Sequence, residues 1–351
     1  MGKVITLDFK PARQDTGQTQ SALAQCFARH RRIGDDVFWL KENAEFLNIH
    51  QTGGATLSAA ALETYEGFYR DVEARLKFFP QYYRFLLSIT LDLEDLGMEG
   101  RTGEALCAYA AQKRLADAEL SDLQRAEAER LLARRGLGAP DMALTERLQR
   151  FISHSETFSL PNKKAAYELT HIVFYLSDYG RRNPRISRAA LRSLMYAGTL
   201  AFIDENADLL AEICVALRFA GADVPQAWEG WVASVEAGYS VQPDTRAPLD
   251  DYHEYLVCNW HRMIAGQAAF THNYEPARLR FTRPRDHHGL LRAISEYLYN
   301  LPQDKRGDWG SVRAALESVL APEAMAHLAA AERAMPEFEA FFEGFARGEA
   351  A

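Results

Sequence analysis

Two segments of the chain, ELTHIVFYLSDYGRRNP and LLAEICVALRFAGADVP, end on a glycine and then a proline at matched positions. Gly180 and Gly221 stand 41 residues apart, and so do Pro184 and Pro225. Apolar residues in both recur three and four positions apart, the spacing of an α-helix that is buried over most of its surface. A period near 40 residues with two helices per unit is the mark of stacked α-hairpins, because one such pair cannot bury its apolar face alone. The expected fold is therefore mainly α, with hairpins stacked into an open helical solenoid or closed into an α/α toroid.

In either arrangement one helix of each pair lines the inside. The apolar segments 162–179, 205–220 and 250–265 are the expected inner helices. Segments 187–203 and 224–238, with more exposed charge, are the expected outer ones. Caps and breakers place further helices near 18–30, 34–48, 57–76, 80–96, 102–135, 142–154, 287–300, 309–319 and 322–346. Residues 102–135 read as a long solvated hairpin whose second helix is capped at Ser121-Asp122. Only Val4 to Phe9 looks strand-like. The organisation expected is an arm over 1–17, a helical region over 18–155, and a repeat-containing region over 156–351 continuous with it.

Each inner segment carries a polar intruder. The 41-residue shift sends His171 onto Glu212, and Glu212 onto His253 in DDYHEYLVCNWHRMIAG. Repeat-related positions face one another across the inside of such a fold, so two imidazoles and a carboxylate are expected to converge there. Zinc takes His₂Glu with an open fourth position, and non-haem Fe(II) takes two His and one carboxylate on one face of an octahedron. Asp208, one turn before Glu212, is a candidate proton-transfer group. So are Glu168 and Tyr175 on the His171 face, and His261. Without a metal, Glu168 within reach of His171 would satisfy a buried imidazole.

Other polar runs carry weaker signals. ARLRFTRPRDHHG gathers Arg278, Arg280, Arg283 and Arg285 ahead of a helix start, an arrangement able to grip a phosphate or carboxylate, or to remain an ion-paired loop. Asp250-Asp251-Tyr252-His253-Glu254 matches a magnesium-binding acidic motif and equally a helix capping box between Asp251 and Glu254. RHRR at 29–32 reads as a solvated helix end, and FFPQYYRF at 78–85 as aromatic packing.

The net charge of −8 leaves no cation excess to neutralise phosphates, so general nucleic-acid binding is not expected. Four scattered cysteines without CxxC spacing point to reduced thiols and no disulfides. No run of about 20 apolar residues spans a membrane and no leader is evident, so a cytoplasmic protein is expected.

Over residues 160–300, the apolar inner helices with a polar residue at each level resemble the α/α-toroid superfamily. That superfamily includes protein prenyltransferases, class II terpene cyclases and lanthionine cyclases, and ELTHIVFYLSDYG is similar to a segment of bacterial proteins of this general type. The resemblance implies a central cavity. Zinc enzymes of the superfamily hold the metal through cysteine-containing sets, for which His171, Glu212 and His253 would stand here. Asp92-Leu93-Glu94-Asp95 departs from the DxDD acid motif of the terpene cyclases at its central acid. Three readings follow. The first is an enzyme holding Zn or Fe(II) in a toroid cavity and acting on a small molecule or peptide. The second is a terpene-cyclase-like enzyme using magnesium on a prenyl diphosphate. The third is a non-enzymatic helical scaffold for a protein or peptide.

Overall fold

The computed structural model describes residues 16–32, 36–246, 249–285 and 288–347, with side chains placed for 19–346 of these. The arm over 1–17 lies almost wholly outside the described residues, as do the run Val4 to Phe9 and His287 of the ARLRFTRPRDHHG stretch. Seventeen α-helices are described: α1 (Thr16–Gln25), α2 (Val37–Thr52), α3 (Ala59–Glu63), α4 (Glu66–Phe78), α5 (Tyr83–Asp95), α6 (Thr102–Gln112), α7 (Asp122–Ala133), α8 (Met142–Ile152), α9 (Lys163–Leu176), α10 (Arg188–Ile203), α11 (Ala207–Phe219), α12 (Gln226–Ala237), α13 (Tyr252–Ile264), α14 (Leu290–Tyr299), α15 (Trp309–Leu316), α16 (Pro322–Ala334) and α17 (Phe338–Arg347). The two short strands β1 (Ser240–Pro243) and β2 (Leu279–Thr282) pair antiparallel on either side of α13, with Ser240 opposite Thr282. The chain is mainly α, as its periodicity requires. No described helix is long and apolar enough to cross a membrane.

Six helices pack in a closed circuit. α2 meets α5, α5 meets α7, α7 meets α9, α9 meets α11, α11 meets α13, and α13 returns to α2. The expected inner segments after residue 160 are the last three members of that circuit. The expected outer segments, α10 and α12, pack behind it. α10 is not the charged outer surface expected, however. α14 and α16 cover it, and its Leu194, Ala197 and Phe202 are buried. The hairpin at 102–135 is also corrected. α7 belongs to the circuit, with Ala128 and Leu131 fully buried. Its N-cap Ser121 makes no side-chain capping bond, and Asp122 instead pairs with Arg147 at 2.7 Å.

The repeat register shifts as well. The N-caps of α9, α11 and α13 are Asn162, Asn206 and Asp251, spacings of 44 and 45 residues rather than 41. Asn162 and Asn206 each accept a backbone N–H from the first turn, at 3.1 and 3.2 Å. α11 and α13 end on left-handed Gly221 and Gly266, both at φ 71°. α9 turns left-handed earlier, at Asp178 (φ 46°), and stays so through Tyr179 to Gly180. Its glycine therefore lies past the first left-handed position, and glycine spacing understates the repeat.

The circuit closes on a buried arginine. Arg31 follows the helical turn Cys26–His30, and its guanidinium bonds Glu42 on α2 at 2.9 Å, Asp250 just before α13 at 2.8 and 2.9 Å, and the Leu279 carbonyl of β2 at 3.0 Å. It also lies 4.7 Å from the centre of the Tyr252 ring. RHRR is thus not a solvated end: Arg31 is buried and Arg32 pairs with Glu42. All four cysteines are free and buried.

Candidate functional site

The circuit lines a partly open lumen of about 220 Å³ to which every one of its six helices contributes a side chain: Glu45 (α2), Phe85 (α5), Glu127 (α7), His171 (α9), Glu212 (α11) and His253 (α13). One end of it is polar. Asp208, Glu212 and His253 each present a ligand atom there, all within 4.8 Å of one another. Two of the three residues expected to converge do so. The third partner is Asp208 in place of His171.

His253 is gripped on both ring nitrogens, Nδ1 by Glu45 and Nε2 by Asp208 at 3.1 Å. The second contact lacks hydrogen-bond alignment, and Asp208 Oδ1 and Glu45 Oε2 are buried with no hydrogen-bond partner. The remaining carboxylate oxygens are oriented from α9. The Tyr167 hydroxyl donates to Asp208 Oδ2 at 2.7 Å, and the Thr170 hydroxyl to Glu212 Oε2 at 2.6 Å. These residues lie 41 and 42 positions apart on adjacent helices, so the shift that is offset from the capping register does pick out contacts between them.

His171 stands beside the cluster. Its Nδ1 lies 2.8 Å from the Tyr167 carbonyl and 3.7 Å from Glu212 Oε2. A carbonyl only accepts, so Nδ1 is the protonated nitrogen and Nε2 keeps its lone pair in the neutral ring. The carboxylate neighbour of His171 is Glu212 and not Glu168, which pairs with Lys164 at 3.9 Å.

Electrostatics separate the acids. Burial, then the charge of neighbouring Asp208, holds Glu212 above the usual carboxylate range against the pull of His171. Asp208 is also penalised by burial, but the His253 charge and the Tyr167 hydroxyl outweigh that and hold it low. Burial disfavours the charged His253 ring, yet Glu45 and Asp208 together raise it well above the ordinary imidazole value. No described arginine or lysine ion-pairs with Glu45, Asp208 or Glu212.

The other end of the lumen is aromatic. Phe174 packs on Trp260 at 4.9 Å and on Tyr179 at 5.7 Å, and Phe174 and Tyr175 both approach His171, at 5.6 and 6.1 Å from the imidazole. Tyr175 is therefore a wall residue with access to the polar end. Phe85, from the FFPQYYRF run expected to be packing, lines the lumen too, whereas Phe78 is 76% exposed.

Several expected site residues lie elsewhere. His261, two turns beyond His253, is buried against α12 with Glu229 at 3.4 Å, and burial keeps its ring below the ordinary value. The four arginines do not converge on an anion. Arg280 pairs with Asp244 at 3.2 Å, Arg283 with Glu254 at 2.6 Å, and Arg285 with Asp251 at 2.5 Å, while Arg278 bonds the Thr245 carbonyl at 3.3 Å. Arg280, Arg283 and Arg285 are each answered by a different acid, and Arg278 by a backbone carbonyl. The acidic motif is used up the same way: Asp250 holds Arg31 and Asp251 holds Arg285, with no capping bond to α13. Asp92, Glu94 and Asp95 are all bound by Arg134 and Arg135.

Glu45 was not visible from the sequence. It sits in the unremarkable run KENAEFLNIH, and only the return of α13 to α2 brings it to His253, 208 residues away.

The chain belongs to a family described as a domain of unknown function (DUF6902), whose model matches residues 1–348. No curated protein and no solved structure matches it.

Proposed function

We propose that this chain is a metal-dependent enzyme whose lumen holds one first-row divalent cation, Zn(II) or Fe(II), on Asp208, Glu212 and His253. The closed circuit of helices supports reading the fold as an α/α toroid with its site at the centre. The observation that carries the metal is the charge at the polar end. Three carboxylates converge with no described arginine or lysine to pair them, and Glu45 Oε2 and Asp208 Oδ1 are buried without an aligned hydrogen bond. Buried charge without a partner is costly, and a divalent cation removes that cost. Ligand atoms about 2.1 Å from one ion stand roughly 3 Å apart, the separation at which His253 Nε2 and Asp208 Oδ1 meet without hydrogen-bond alignment.

A cation there supplies a Lewis acid for polarising water or a substrate oxygen. The residues around it do the rest. Glu45 on Nδ1 fixes the His253 ring and leaves Nε2 for the ion, while Tyr167 and Thr170 orient the two carboxylates. His171, 36% exposed to the lumen and carrying a free Nε2, accepts and returns a proton. The substrate is a small molecule, or a peptide side chain entering the lumen.

Metal analysis tests this. Wild-type protein reconstituted with Zn(II) or Fe(II) and desalted is expected to retain one equivalent. Glu212→Gln, Asp208→Asn and His253→Gln are each expected to retain less than a tenth of that, whereas His171→Gln keeps it. A wild-type chain that retains none, or ligand variants that retain as much as wild type, overturns the metal; a proton relay through Glu45, His253 and Asp208 is then the better account of the same contacts.

A further inference from the structure

Beyond the polar cluster, the lumen wall has a charge behind it. Arg130 on α7 is buried, and its guanidinium lies 4.6 Å from the Tyr179 ring centre and 6.0 Å from that of Tyr175. Its only described carboxylate contact is Asp178 at 3.4 Å, and its Nε has no partner. The neighbouring lumen acid, Glu127, is bound by Arg84.

An aromatic wall is ordinarily a good seat for an organic cation, because ring faces are electron-rich. Here the Tyr179 face already serves Arg130, which sets a positive charge close behind the wall. A second cation inside would meet that charge, whereas an electron-rich or anionic ring would be attracted to it. The opposite end of the lumen asks for the same ligand. There a divalent cation with His171 beside it favours an oxygen donor bearing negative charge. The space is also limited. A cavity of roughly 150 Å³ takes benzene, so about 220 Å³ has room for one ring with a short polar substituent.

We infer that the lumen binds a small planar aromatic acid, its ring among Phe174, Tyr179 and Trp260 and its carboxylate or phenolate toward Asp208, Glu212 and His253. The orientation of the oxygen rests on the metal proposed above; the seat for the ring does not. Phe174 and Tyr179 stack on each other at 24°, while Phe174 and Trp260 meet edge-to-face at 70°, an arrangement that leaves a flat face for a further ring to stack on. An aliphatic ring of the same size is thicker and presents no such face.

The test is titration of the full chain with benzoate, cyclohexanecarboxylate and phenyltrimethylammonium, read by calorimetry and by tryptophan fluorescence. Benzoate is expected to bind saturably, with cyclohexanecarboxylate and phenyltrimethylammonium each at least tenfold weaker. The fluorescence change is expected to disappear in Trp260→Phe while calorimetric binding persists. Arg130→Met is expected to cost benzoate tenfold and to cost phenyltrimethylammonium nothing. If Arg130→Met fails to fold, Arg130→Lys serves, with benzoate held within a few-fold of wild type. Binding of phenyltrimethylammonium as tight as that of benzoate, no saturable benzoate binding, or a fluorescence change that survives Trp260→Phe overturns the inference. Repeating the benzoate titration on metal-stripped protein separates the two proposals. Benzoate binding in a chain that takes up no metal sinks the metal alone, and metal uptake without benzoate binding sinks the aromatic ligand alone.

Discussion

The circuit of helices contains two groups of acids, each with one fully or nearly buried member, Asp92 or Glu212, that differ in what answers them. On α5, Asp92, Glu94 and Asp95 face α7 and the residues after it, where Arg134 and Arg135 bind all three at 2.6 to 2.9 Å. Asp92 is fully buried and also accepts from Ser88 at 3.2 Å. In the lumen, Glu45, Asp208 and Glu212 meet no arginine, and buried oxygens of Glu45 and Asp208 are left over. The first group is a tie between two helices, complete within the chain. The second has only imidazoles against it, His253 between Glu45 and Asp208 and His171 beside Glu212. What distinguishes structure from site here is the counter-charge, not the acid.

The comparison is broken first at the tie. Arg134→Met strands Asp92 as an uncompensated buried charge, and a loss of about 3 to 5 kcal/mol is expected in denaturant unfolding. A loss below 1 kcal/mol would mean that the α5 acids are no better matched than those of the lumen.

A buried ionisable group with no charged partner sharpens the contrast from the neutral side. His50 on α2 is buried with Nδ1 on the Phe46 carbonyl at 2.8 Å, and burial lowers its pKa to about 4 from 6.5. The folded chain then holds the ring neutral while the unfolded chain protonates below pH 6.5. Stability is present above that pH and falls as pH drops from 6.5 toward 4, by about 3 kcal/mol for this group. Unfolding curves at pH 7 and pH 4.5 for wild type and His50→Gln measure it, the variant losing less over the interval.

Glu212→Gln probes the lumen directly. In protein stripped by a chelator, removing this charge relieves its repulsion with Asp208, so stability is expected to hold or rise by up to about 2 kcal/mol, opposite in sign to Arg134→Met. Added Zn(II) is expected to raise the melting temperature of wild type and to leave that of Glu212→Gln unchanged. The smallest effect belongs to Glu168→Gln. Its exposed pairing with Lys164 predicts a change within about 0.5 kcal/mol and full metal retention.

Much of this was legible in the chain. Helical periodicity and caps located nearly every helix, and the matched segments picked out α9, α11 and α13 as inner members. His171, Glu212 and His253 all line one cavity, although Asp208 and not His171 completes the cluster there. What failed were assignments that depend on neighbours. Glu168 and His261 looked like site residues because they share a helix with His171 or His253, but a helix carries residues on every face and only packing says which face is inside. Arg278, Arg280, Arg283 and Arg285 looked like an anion site because the groups that claim them, the Thr245 carbonyl, Asp244, Glu254 and Asp251, belong to segments that the fold brings alongside. α7 looked solvated because its many charges conceal the Ala128 and Leu131 stripe.

The sequence by itself determined the helices, their pairing and the polar intruders in the apolar ones, since these follow from backbone propensity and burial over a few turns of chain. Tertiary structure alone decided that the circuit closes, that Glu45 and Asp208 grip His253, and that His171 stands beside the cluster rather than in it. Closure depends on Arg31 joining α2 to Asp250 and β2 across more than 200 residues, and contacts at that range leave no period in the chain to read.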